Sequence, residues 1–334
     1  MFTVVQTDAA ASDRVVEDGV FAASGLDVDF RRFECVGEDD VIAHCDVADA
    51  VIPAYAPLSA RVLVALERCR IVAFMATGFN SVDLAAATEL GIVVTHVCGY
   101  CTSEVADHTL GLLLDLSRNI TCLHDSVKRG AWDYEAAGKP QRLGGQSLGL
   151  VGLGRIGSAV ATRARAFGMR VVATDPYVDA ATMLGLGVAK TTLDEVLVCD
   201  YVSLHSTLTG ETQRIIDATS LARMKPSAFL INTARGACVD TAALTAALKQ
   251  GTIAGAGLDV VDPEPPPADH PLRTLPNAIV TPHAAFLSSR SEREAREKTC
   301  EQVVTALRGQ APEFVVNAEV LERPNCRLRA PARD

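Results

Sequence analysis

A glycine-rich turn near the middle of the chain limits its possible folds more than any other feature. The apolar run at residues 148–151 predicts a buried strand, and the GLGRIG segment at residues 152–157 follows it at once. A helical stretch over about 155–167 comes next, and a second predicted strand, 170–174, leads to Asp175. This order of strand, glycine turn, helix, strand and acid is that of a dinucleotide-binding unit.

Each glycine of this turn has a physical role in such a unit. Gly152 makes the tight turn, Gly154 lets the backbone approach a pyrophosphate, and Gly157 lets the helix pack closely on the strand. The helix that begins at Arg155 then presents free N–H groups and a partial positive charge to the phosphates. Asp175 is placed to accept hydrogen bonds from the hydroxyls of the adenosine ribose. The sequence therefore predicts that these residues bind a dinucleotide.

Length and composition exclude several other classes of protein. The chain has 334 residues, which favours about two domains, and its 49% hydrophobic and 22% charged residues are typical of a globular protein. A net charge of −10 without a basic run beyond the short Arg-rich C-terminus argues against a nucleic-acid partner. No apolar stretch approaches the roughly 20 residues of a membrane span. The N-terminus lacks a basic region before its apolar residues, so we expect no signal peptide, no membrane partner and a cytoplasmic protein.

One cysteine spacing invites a zinc or redox interpretation. Cys98-x-x-Cys101 lies between His96 and His108 in a chain with ten cysteines. However, the chain has no second C-x-x-C pair, and the spacing fits no common zinc pattern. The sequence favours small buried residues at a chain crossover, reduced thiols throughout and no metal site.

The remaining chain alternates strands with helices, which indicates parallel sheets covered on both faces. Before the glycine turn we predict strands at 2–7, 28–33, 50–53, 70–75 and 92–96, and helices at 40–44, 59–67 and 83–90. A leucine-rich segment, 101–130, predicts one long buried helical region. After the turn we predict strands at 201–204, 228–232, 253–258 and 278–281, and helices at 192–198, 240–251 (capped by Asp240) and 291–308 (with a Ser291–Glu294 capping box). Residues 318–334 are expected to form a tail.

Three polar residues follow predicted strands at the edge where open α/β sheets bind ligands. They are Arg235 in NTARG, Glu264 in LDVVDPEPP and His283 in TPH. Singly, each is more often a surface or packing residue than a functional one. Jointly, after a dinucleotide-binding turn, they indicate a catalytic set.

The chemistry of 2-oxo acid reduction explains these residue types. Arginine presents a planar fork that binds a carboxylate through two hydrogen bonds. Histidine exchanges a proton near neutral pH, and a carboxylate bonded to it stabilises its charged form. A nicotinamide carries the hydride, while the protein supplies position and electrostatics.

The chain resembles the D-isomer-specific 2-hydroxyacid dehydrogenases, with the C-terminal-binding-protein-like branch as the nearest group. The resemblance covers about Ala50 to Asn317. It rests on Tyr55-Ala-Pro, GFNSVD at 78–83, YCTSEVADH at 100–108, GLGRIG, Asp175-Pro-Tyr, NTARG, LDVVDPEPP and PHAAF at 282–286. It implies two Rossmann/flavodoxin-like doubly wound parallel-sheet domains, with the NAD-binding domain (99–287) inserted into a discontinuous substrate-binding domain (1–98 and 288–334). It also implies a homodimer formed through the nucleotide domain.

The resemblance also implies roles for particular residues. Arg235, Glu264 and His283 would be the catalytic trio. The NAD site would be lined by Thr77, Gly152, Gly154, Arg155, Ile156, Gly157, Asp175, His205, Thr207, Thr233, Ala234 and Asp259. The substrate, a small 2-oxo or 2-hydroxy acid, would contact Tyr55, Thr77, Gly78, Tyr100, Arg235 and Phe286, with the backbone N–H groups of Thr77 and Gly78 facing its carboxylate.

Several positions depart from the family pattern. Residues 75–77, Met-Ala-Thr, stand where many relatives carry a basic residue, which argues against a phosphorylated substrate. Phe286 stands where the branch often has tryptophan, and Ser206-Thr207 replaces the usual apolar-proline pair. Asp175 would repel the 2′-phosphate of NADP, so NAD is the expected cofactor.

Two functions from different classes remain open at this point. The first is an NAD-dependent oxidoreductase of small unphosphorylated 2-oxo acids. The second is an NAD(H)-sensing, corepressor-like binding module with little turnover. The complete trio favours turnover, while Glu264, where formate oxidisers usually carry glutamine, disfavours oxidation of formate.

Overall fold

The computed structural model describes residues 1–8 and 13–329, and the chain forms two compact units. The first unit comprises Met1–Tyr100 and the chain from Ser288 on, and the second comprises Cys101–Leu287. The sequence places the corresponding boundaries at 98/99 and 287/288.

The first unit contains a parallel sheet with strand order β2-β1-β3-β4-β5, the order of flavodoxin-like folds. Its strands are β1 (Phe2–Gln6), β2 (Val28–Arg32), β3 (Ala50–Ile52), β4 (Ile71–Ala73) and β5 (Val93–Thr95). Its helices are α1 (Val15–Ser24), α2 (Glu38–Cys45), α3 (Ala60–Ala65), α4 (Leu84–Glu89) and, from the C-terminal part of the chain, α12 (Ser289–Leu307). The predicted strands are confirmed with ends trimmed by one or two residues, whereas α1 was not predicted.

The second unit contains a parallel sheet of order β12-β11-β10-β9-β6-β7-β8. Its strands are β6 (Ser147–Val151), β7 (Arg170–Thr174), β8 (Ala189–Lys190), β9 (Tyr201–Leu204), β10 (Phe229–Asn232), β11 (Gly255–Leu258) and β12 (Ala278–Val280). Its helices are α5 (Thr102–Arg118), α6 (Ile120–Lys128), α7 (Arg155–Ala166), α8 (Ala180–Gly185), α9 (Leu193–Leu197), α10 (Ala218–Arg223) and α11 (Thr241–Gln250). This is the Rossmann order with an added strand, so the predicted fold class is confirmed for both units.

The predicted long helical region is two helices. Asn119 adopts a left-handed conformation (φ 53°) between α5 and α6, and its side-chain amide donates to the Ala137 carbonyl at 2.8 Å. Helix α5 is also amphipathic rather than apolar all round. Its buried side, which includes Leu112, Leu113 and Leu116, packs against α7 and the sheet.

Helix caps show one confirmed and one wrong prediction. Asp240 caps α11 by accepting from the Ala243 N–H at 2.9 Å. The Ser291–Glu294 capping box is wrong, because α12 begins two residues earlier. Its N-cap is Ser288, whose hydroxyl accepts from the Ser291 N–H at 3.0 Å.

The predicted C-terminal tail is wrong for residues 318–329. Two short 3₁₀ turns, Ala318–Glu322 and Arg327–Arg329, and the segment between them place the buried side chains of Val320, Leu328 and Cys326 in the core of the first unit. The Arg327 guanidinium donates to the carbonyls of Leu66 and Cys69 at 2.6 and 3.0 Å. Residues 330–334 lie outside the described part of the chain.

Candidate active site

The glycine turn after β6 has the geometry that its sequence predicts. Gly152 has φ 93°, and a Cβ there would lie 2.8 Å from the His205 carbonyl carbon and oxygen. A Cβ on Gly157 would lie 2.4 Å from the Gly152 oxygen, whereas nothing lies within 4 Å of a Cβ built on Gly154. Two glycines are therefore required by close backbone packing, and the middle one leaves open space on the surface of the turn.

Asp175 closes this turn from the end of β7. Its Oδ2 accepts from the Leu153 N–H at 2.9 Å and its Oδ1 from the Tyr177 N–H at 2.9 Å. A carboxylate has about four lone-pair sites, so acceptor capacity remains for ribose hydroxyls. Gly154 is the N-cap of α7 and provides no side-chain cap, which leaves the first N–H groups of that helix available to an anion.

Polar atoms beside the turn are consistent with a bound dinucleotide. Among the described residues, the Nδ1 atom of His205 and the hydroxyl of Ser206 are buried without a hydrogen-bond partner, and the backbone of both residues contacts Gly152. A polar group bound at the turn would satisfy such atoms. Desolvation lowers the pKa of His205 to about 4, so the ring is neutral at physiological pH. The adjacent Thr207 is exposed.

The predicted catalytic residues follow strands whose ends lie side by side. In the sheet register Asn232 of β10 pairs with Leu258 of β11, and Leu258 pairs with Val280 of β12. Arg235 and His283 each come three residues after these paired positions, and Glu264 comes six residues after Leu258. The structure therefore places all three at one edge of one sheet.

Close packing of two loops fixes the segment that carries Arg235. A Cβ on Gly236 would lie 1.9 Å from the Val261 carbonyl oxygen, so only glycine fits between the loops after β10 and β11. Asn232 holds the same turn through its side chain, which donates to the Arg235 carbonyl at 2.8 Å and accepts from the Ala234 N–H at 3.0 Å. The Arg235 Nη1 donates to the Ala234 carbonyl at 2.6 Å.

Glu264 and His283 are joined by a short hydrogen bond. The Nδ1 atom of His283 lies 2.6 Å from the Glu264 Oε1, and both side chains are about one-third exposed. His283 has φ 51°, a left-handed conformation rare for a non-glycine residue. Its N–H donates to the Asp259 carbonyl at 2.8 Å, which holds the backbone in this state. The Phe286 ring lies edge-on to the imidazole at 6.5 Å.

Asp259 lies beneath the His283 loop and organises it. Its carboxylate accepts from the N–H groups of Ala284 and Ala285, each at 2.9 Å, and from the Thr281 hydroxyl at 2.6 Å. The residue is 2% exposed, so most of its acceptor capacity is used inside the protein. This arrangement makes Asp259 a support for the loop.

Sequence reasoning missed two members of this network. His108 of α5 lies 2.9 Å from the Thr281 hydroxyl oxygen. Because the single Thr281 proton is donated to Asp259, the His108 Nε2 must donate to Thr281. In the sequence His108 stands out only as a possible zinc ligand and Thr281 only as part of a motif, and no local pattern links them to Asp259.

The other predicted cofactor residues lie around the same sheet edge. Thr233 is buried and its hydroxyl bonds that of Thr109 at 2.8 Å, while Ala234 packs against the core and Arg155 is exposed at the start of α7. Ile156, the next residue of α7, is partly buried against the core of the second unit. These positions surround the glycine turn and the Arg235 turn within the second unit.

The first unit carries the remaining predicted substrate residues. The Thr77 hydroxyl donates to the Val97 carbonyl at 3.1 Å, and the Thr77 carbonyl accepts from His96 at 2.8 Å. Gly78 follows in the same loop. Tyr55 is 64% exposed in a loop held by the Asp8 carboxylate, and Tyr100 is buried.

The metal and membrane interpretations find no support among residues 1–8 and 13–329. No group of three or more His, Cys, Asp or Glu side chains there is arranged to hold a metal ion. Within the same residues no helix combines the length and apolarity needed to cross a membrane. The prediction of small buried residues at Cys98 and Cys101 holds for Cys101, whereas Cys98 is only partly buried.

Comparison with known proteins identifies the family of the chain. Residues 110–285 match the model of the D-isomer specific 2-hydroxyacid dehydrogenase NAD-binding domain, so the cofactor is NAD. A glyoxylate reductase of Korarchaeum cryptofilum is 42% identical over 80% of this chain and 81% of its own. A D-3-phosphoglycerate dehydrogenase of Methanocaldococcus jannaschii is 39% identical over 75% of this chain and 48% of its own.

A solved structure shows that the likeness extends to the whole fold. The crystal structure of the TT0316 protein from Thermus thermophilus has a TM-score of 0.85 at 38% identity, covering 94% of this chain and 100% of that one. The sequence-based resemblance is thereby confirmed at the level of the family. The chain belongs to the D-isomer-specific 2-hydroxyacid dehydrogenases and is an NAD-dependent oxidoreductase.

Proposed function

We propose that this enzyme interconverts a small unphosphorylated 2-oxo acid and its D-2-hydroxy acid, with His283 as general acid/base. The observation that carries the proposal is the 2.6 Å pair between His283 Nδ1 and Glu264, at the sheet edge that also carries Arg235 and the glycine turn. A base held by an orienting carboxylate is the expected arrangement for proton transfer.

The proton is transferred at the Nε2 atom of His283. Because Glu264 engages Nδ1 and orients the ring, we assign the exchange of the proton with the substrate oxygen to the other ring nitrogen, Nε2. Glu264 keeps the ring oriented and stabilises the imidazolium formed during oxidation. NAD supplies the hydride acceptor, and NADH the donor, at the substrate carbon. Arg235 binds the substrate carboxylate through its two-pronged guanidinium.

The residues predicted to contact the substrate are proposed to define its class. The backbone N–H groups of Thr77 and Gly78 are proposed to bind the carboxylate, with Tyr55, Tyr100 and Phe286 near the substrate side chain. Met75-Ala76-Thr77 provides no cation for a phosphate group. We therefore favour a small acid, the chemistry named for the glyoxylate reductase relative, over the phosphorylated substrate named for the phosphoglycerate dehydrogenase relative.

The test is NADH consumption with glyoxylate, pyruvate, hydroxypyruvate, phosphohydroxypyruvate, and branched and aromatic 2-oxo acids. We expect turnover of at least one unphosphorylated acid and little with the phosphorylated one. In the His283→Ala variant kcat should fall by about 10²–10⁴ while NADH still binds. A panel without turnover, with NADH bound tightly, would instead identify an NAD(H)-sensing module.

The enzyme is further proposed to be a homodimer that pairs through exposed aromatic residues of the second unit. Trp132 and Tyr134 are 93% and 83% exposed just after α6, which itself exposes Ile120 and Val127. Large apolar side chains exposed along one segment of the chain would be covered by such an interface. The mass in solution from light scattering should be twice the 35.3 kDa chain mass, and Trp132→Ala should shift it toward the monomer. An unchanged dimer in that variant would place the interface elsewhere.

A further inference from the structure

A cysteine and a histidine of the first unit form a nucleophile–base pair that the proposed reaction does not use. The Cys98 Sγ lies 3.0 Å from the Nε2 atom of His96. The Nδ1 atom of the same ring lies 2.8 Å from the Thr77 carbonyl oxygen. A nucleophile in hydrogen-bond contact with a base that a third group orients is the general signature of an activated side chain.

The Thr77 carbonyl fixes the tautomer of this histidine. A carbonyl oxygen only accepts hydrogen bonds, so Nδ1 carries the proton and donates it. In the neutral ring Nε2 is therefore an acceptor, and it faces the Cys98 thiol. The ring is also held by Phe79, whose ring lies edge-on at 5.4 Å, and by the Gln302 side chain, which donates to the His96 carbonyl at 3.1 Å.

Cys98 is more exposed to solvent than most of the other cysteines. All ten cysteines lie in the described part of the chain, and eight of them are buried. Cys98 is partly exposed and Cys122 is exposed. The Cys122 sulfur lies 3.7 Å from the Ala136 carbonyl, so its hydrogen bond goes to an oxygen that cannot take a proton. The two accessible thiols thus differ in whether a base faces them.

We propose that Cys98 is a reactive thiol, deprotonated by His96, that hydrogen peroxide and alkylating electrophiles modify. The sulfur attacks one oxygen of the peroxide, an S–O bond forms and the O–O bond breaks. The sulfur is oxidised by two electrons to a sulfenic acid and the peroxide is reduced to hydroxide. The thiol proton, taken up by His96 Nε2, then passes to the hydroxide and gives water.

Modification would reach the substrate loop through the same histidine. A group added to Sγ cannot fit within the 3.0 Å that now separates it from Nε2, so that contact must break, and we expect the ring to turn and weaken its bond to Thr77. The loops at 75–79 and 95–98 are further joined by bonds from Val97 N–H to Ala76 and from the Thr77 hydroxyl to Val97. This consequence rests on the proposed function, in which Thr77 and Gly78 bind the substrate carboxylate.

The first test is chemical and needs no turnover. The intact protein is treated with iodoacetamide, and the rate of labelling at each cysteine is read by peptide mass spectrometry. We expect Cys98 to react at least about tenfold faster than Cys122, and His96→Asn to slow Cys98 at least about tenfold without changing Cys122. Equal rates at Cys98 and Cys122 in the unchanged protein, or no effect of His96→Asn in a folded variant, would overturn the proposal. Labelling of the eight buried cysteines in the His96→Asn variant would show that this variant has unfolded. In that case the rates at Cys98 and Cys122 in the unchanged protein decide the question alone.

The second test asks whether modification of Cys98 changes the activity toward the oxo acid. Hydrogen peroxide or iodoacetamide should raise the KM for the oxo acid in proportion to modification of Cys98, with NADH affinity unchanged. The Cys98→Ala variant should keep its activity and resist both reagents, and Cys122→Ala should remain sensitive. Full modification of Cys98 without loss of oxo-acid use would overturn the regulatory step. If no oxo acid is turned over by the untreated protein, the proposed function fails while the labelling result still stands.

Discussion

A hydroxyl two residues before His283 belongs to the network that holds the loop of this histidine. Thr281 donates to Asp259 and accepts from His108, and Asp259 in turn holds the two N–H groups that follow His283. Replacing Thr281 by valine leaves the shape nearly unchanged but removes both bonds. We expect kcat to fall about 10–100-fold from misplacement of the imidazole, with NADH affinity changed less than about threefold. Steady-state kinetics and NADH fluorescence titration measure both quantities.

Thr281→Ser is the matched control for this prediction, because it keeps the hydroxyl. It should retain most of the activity of the unchanged enzyme. If serine and valine impair kcat equally, the effect comes from the methyl group, and the hydrogen-bond network does not position His283.

His205 provides a second prediction at the same scale. Desolvation lowers the pKa of His205 to about 4, against about 6.5 in an unfolded chain. Between these values the unfolded state binds a proton that the folded state does not. Stability therefore falls as the pH drops from about 6.5 to about 4, by at most about 1.4 kcal/mol per pH unit, and this effect is absent above about pH 6.5. Urea unfolding without NAD at several pH values should show the slope.

Two histidine replacements test whether His205 causes this pH dependence of stability. His205→Asn should remove this part of the pH dependence, whereas replacement of the exposed His124 by asparagine should leave it in place. An equal slope in the unchanged protein and in His205→Asn would show that another group titrates in this range.

The sequence identifies candidate catalytic residues more readily than the residues that hold them. Arg235, Glu264 and His283 are conspicuous because each is a reactive type placed just after a strand. His108 and Thr281 are 173 positions apart in the chain, and their contact follows from the packing of α5 against the sheet. No local signal encodes it. The left-handed conformation of His283 is likewise a product of tertiary bonds.

At the scale of elements, we expect two glycines of the same turn to affect different properties, Gly157 the stability of the protein and Gly154 the affinity for NADH. Gly157→Ala places a Cβ 2.4 Å from the Gly152 oxygen, so backbone must move and the protein should lose about 1–3 kcal/mol of stability. Gly154→Ala meets nothing within 4 Å, so stability should change by less than about 1 kcal/mol. The added methyl instead occupies the surface proposed for the pyrophosphate, and NADH affinity should fall at least about tenfold. Equal NADH affinity in Gly154→Ala would remove this turn from the site.

A partly buried carboxylate, that of Asp200, joins β6 to its neighbours and gives a pH-dependent prediction. Asp200 accepts from the Ser147 N–H and hydroxyl at 2.8 and 2.7 Å and from Lys225 at 2.6 Å. Burial acts to raise the pKa of Asp200, but the bonds from Lys225 and Ser147 outweigh it and lower the pKa below its ordinary value. The stabilisation is thus present above about pH 4 and lost as the pH falls through the lowered value.

Asp200→Asn tests this link. The variant should be less stable than the unchanged protein by about 1.5–3 kcal/mol at neutral pH, and the difference should shrink below about pH 4. Urea unfolding at both pH values measures it. If the difference in stability between the two proteins stays constant with pH, the negative charge of Asp200 does not contribute to this link.

Helices and strands were predicted correctly where the hydrophobic pattern was strong. The prediction failed where the residues at the end or in the interior of a helix were atypical. Helix α1 has Arg14 at its N-cap, without a side-chain cap, and Gly19 inside it, so it lacks the usual signals. Its packing on α12, where Arg296 pairs with the buried Glu17 at 2.6 Å, stabilises it through distant contacts. The break between α5 and α6 depends on Asn119 in a left-handed conformation, which composition alone did not reveal.

At the scale of the whole molecule, the two compact units were foreseeable because alternating strands and helices leave few other folds. The C-terminal segment was not. Residues 318–329 are polar and contain a proline, yet they pack Val320, Cys326 and Leu328 into the core of the first unit. Close contact explains why: the Asn325 carbonyl oxygen lies where a side chain on Gly91 would be, 2.1 Å from the built Cβ. The first unit thus has a surface at Gly91 that fits this segment closely, and only the tertiary structure shows it.

This packing predicts that the segment stabilises the first unit. Leu328 is 4% exposed, and truncating it to alanine should lower the free energy of unfolding by about 2–4 kcal/mol, because a buried leucine is replaced by a cavity. Glu322 is exposed in the same segment, and Glu322→Ala should change stability by less than about 0.5 kcal/mol. Thermal and urea unfolding of both variants decide the point. If both variants were as stable as the unchanged protein, residues 318–329 would be a tail after all, and the first unit would owe its stability to the contacts within residues 1–100 and α12.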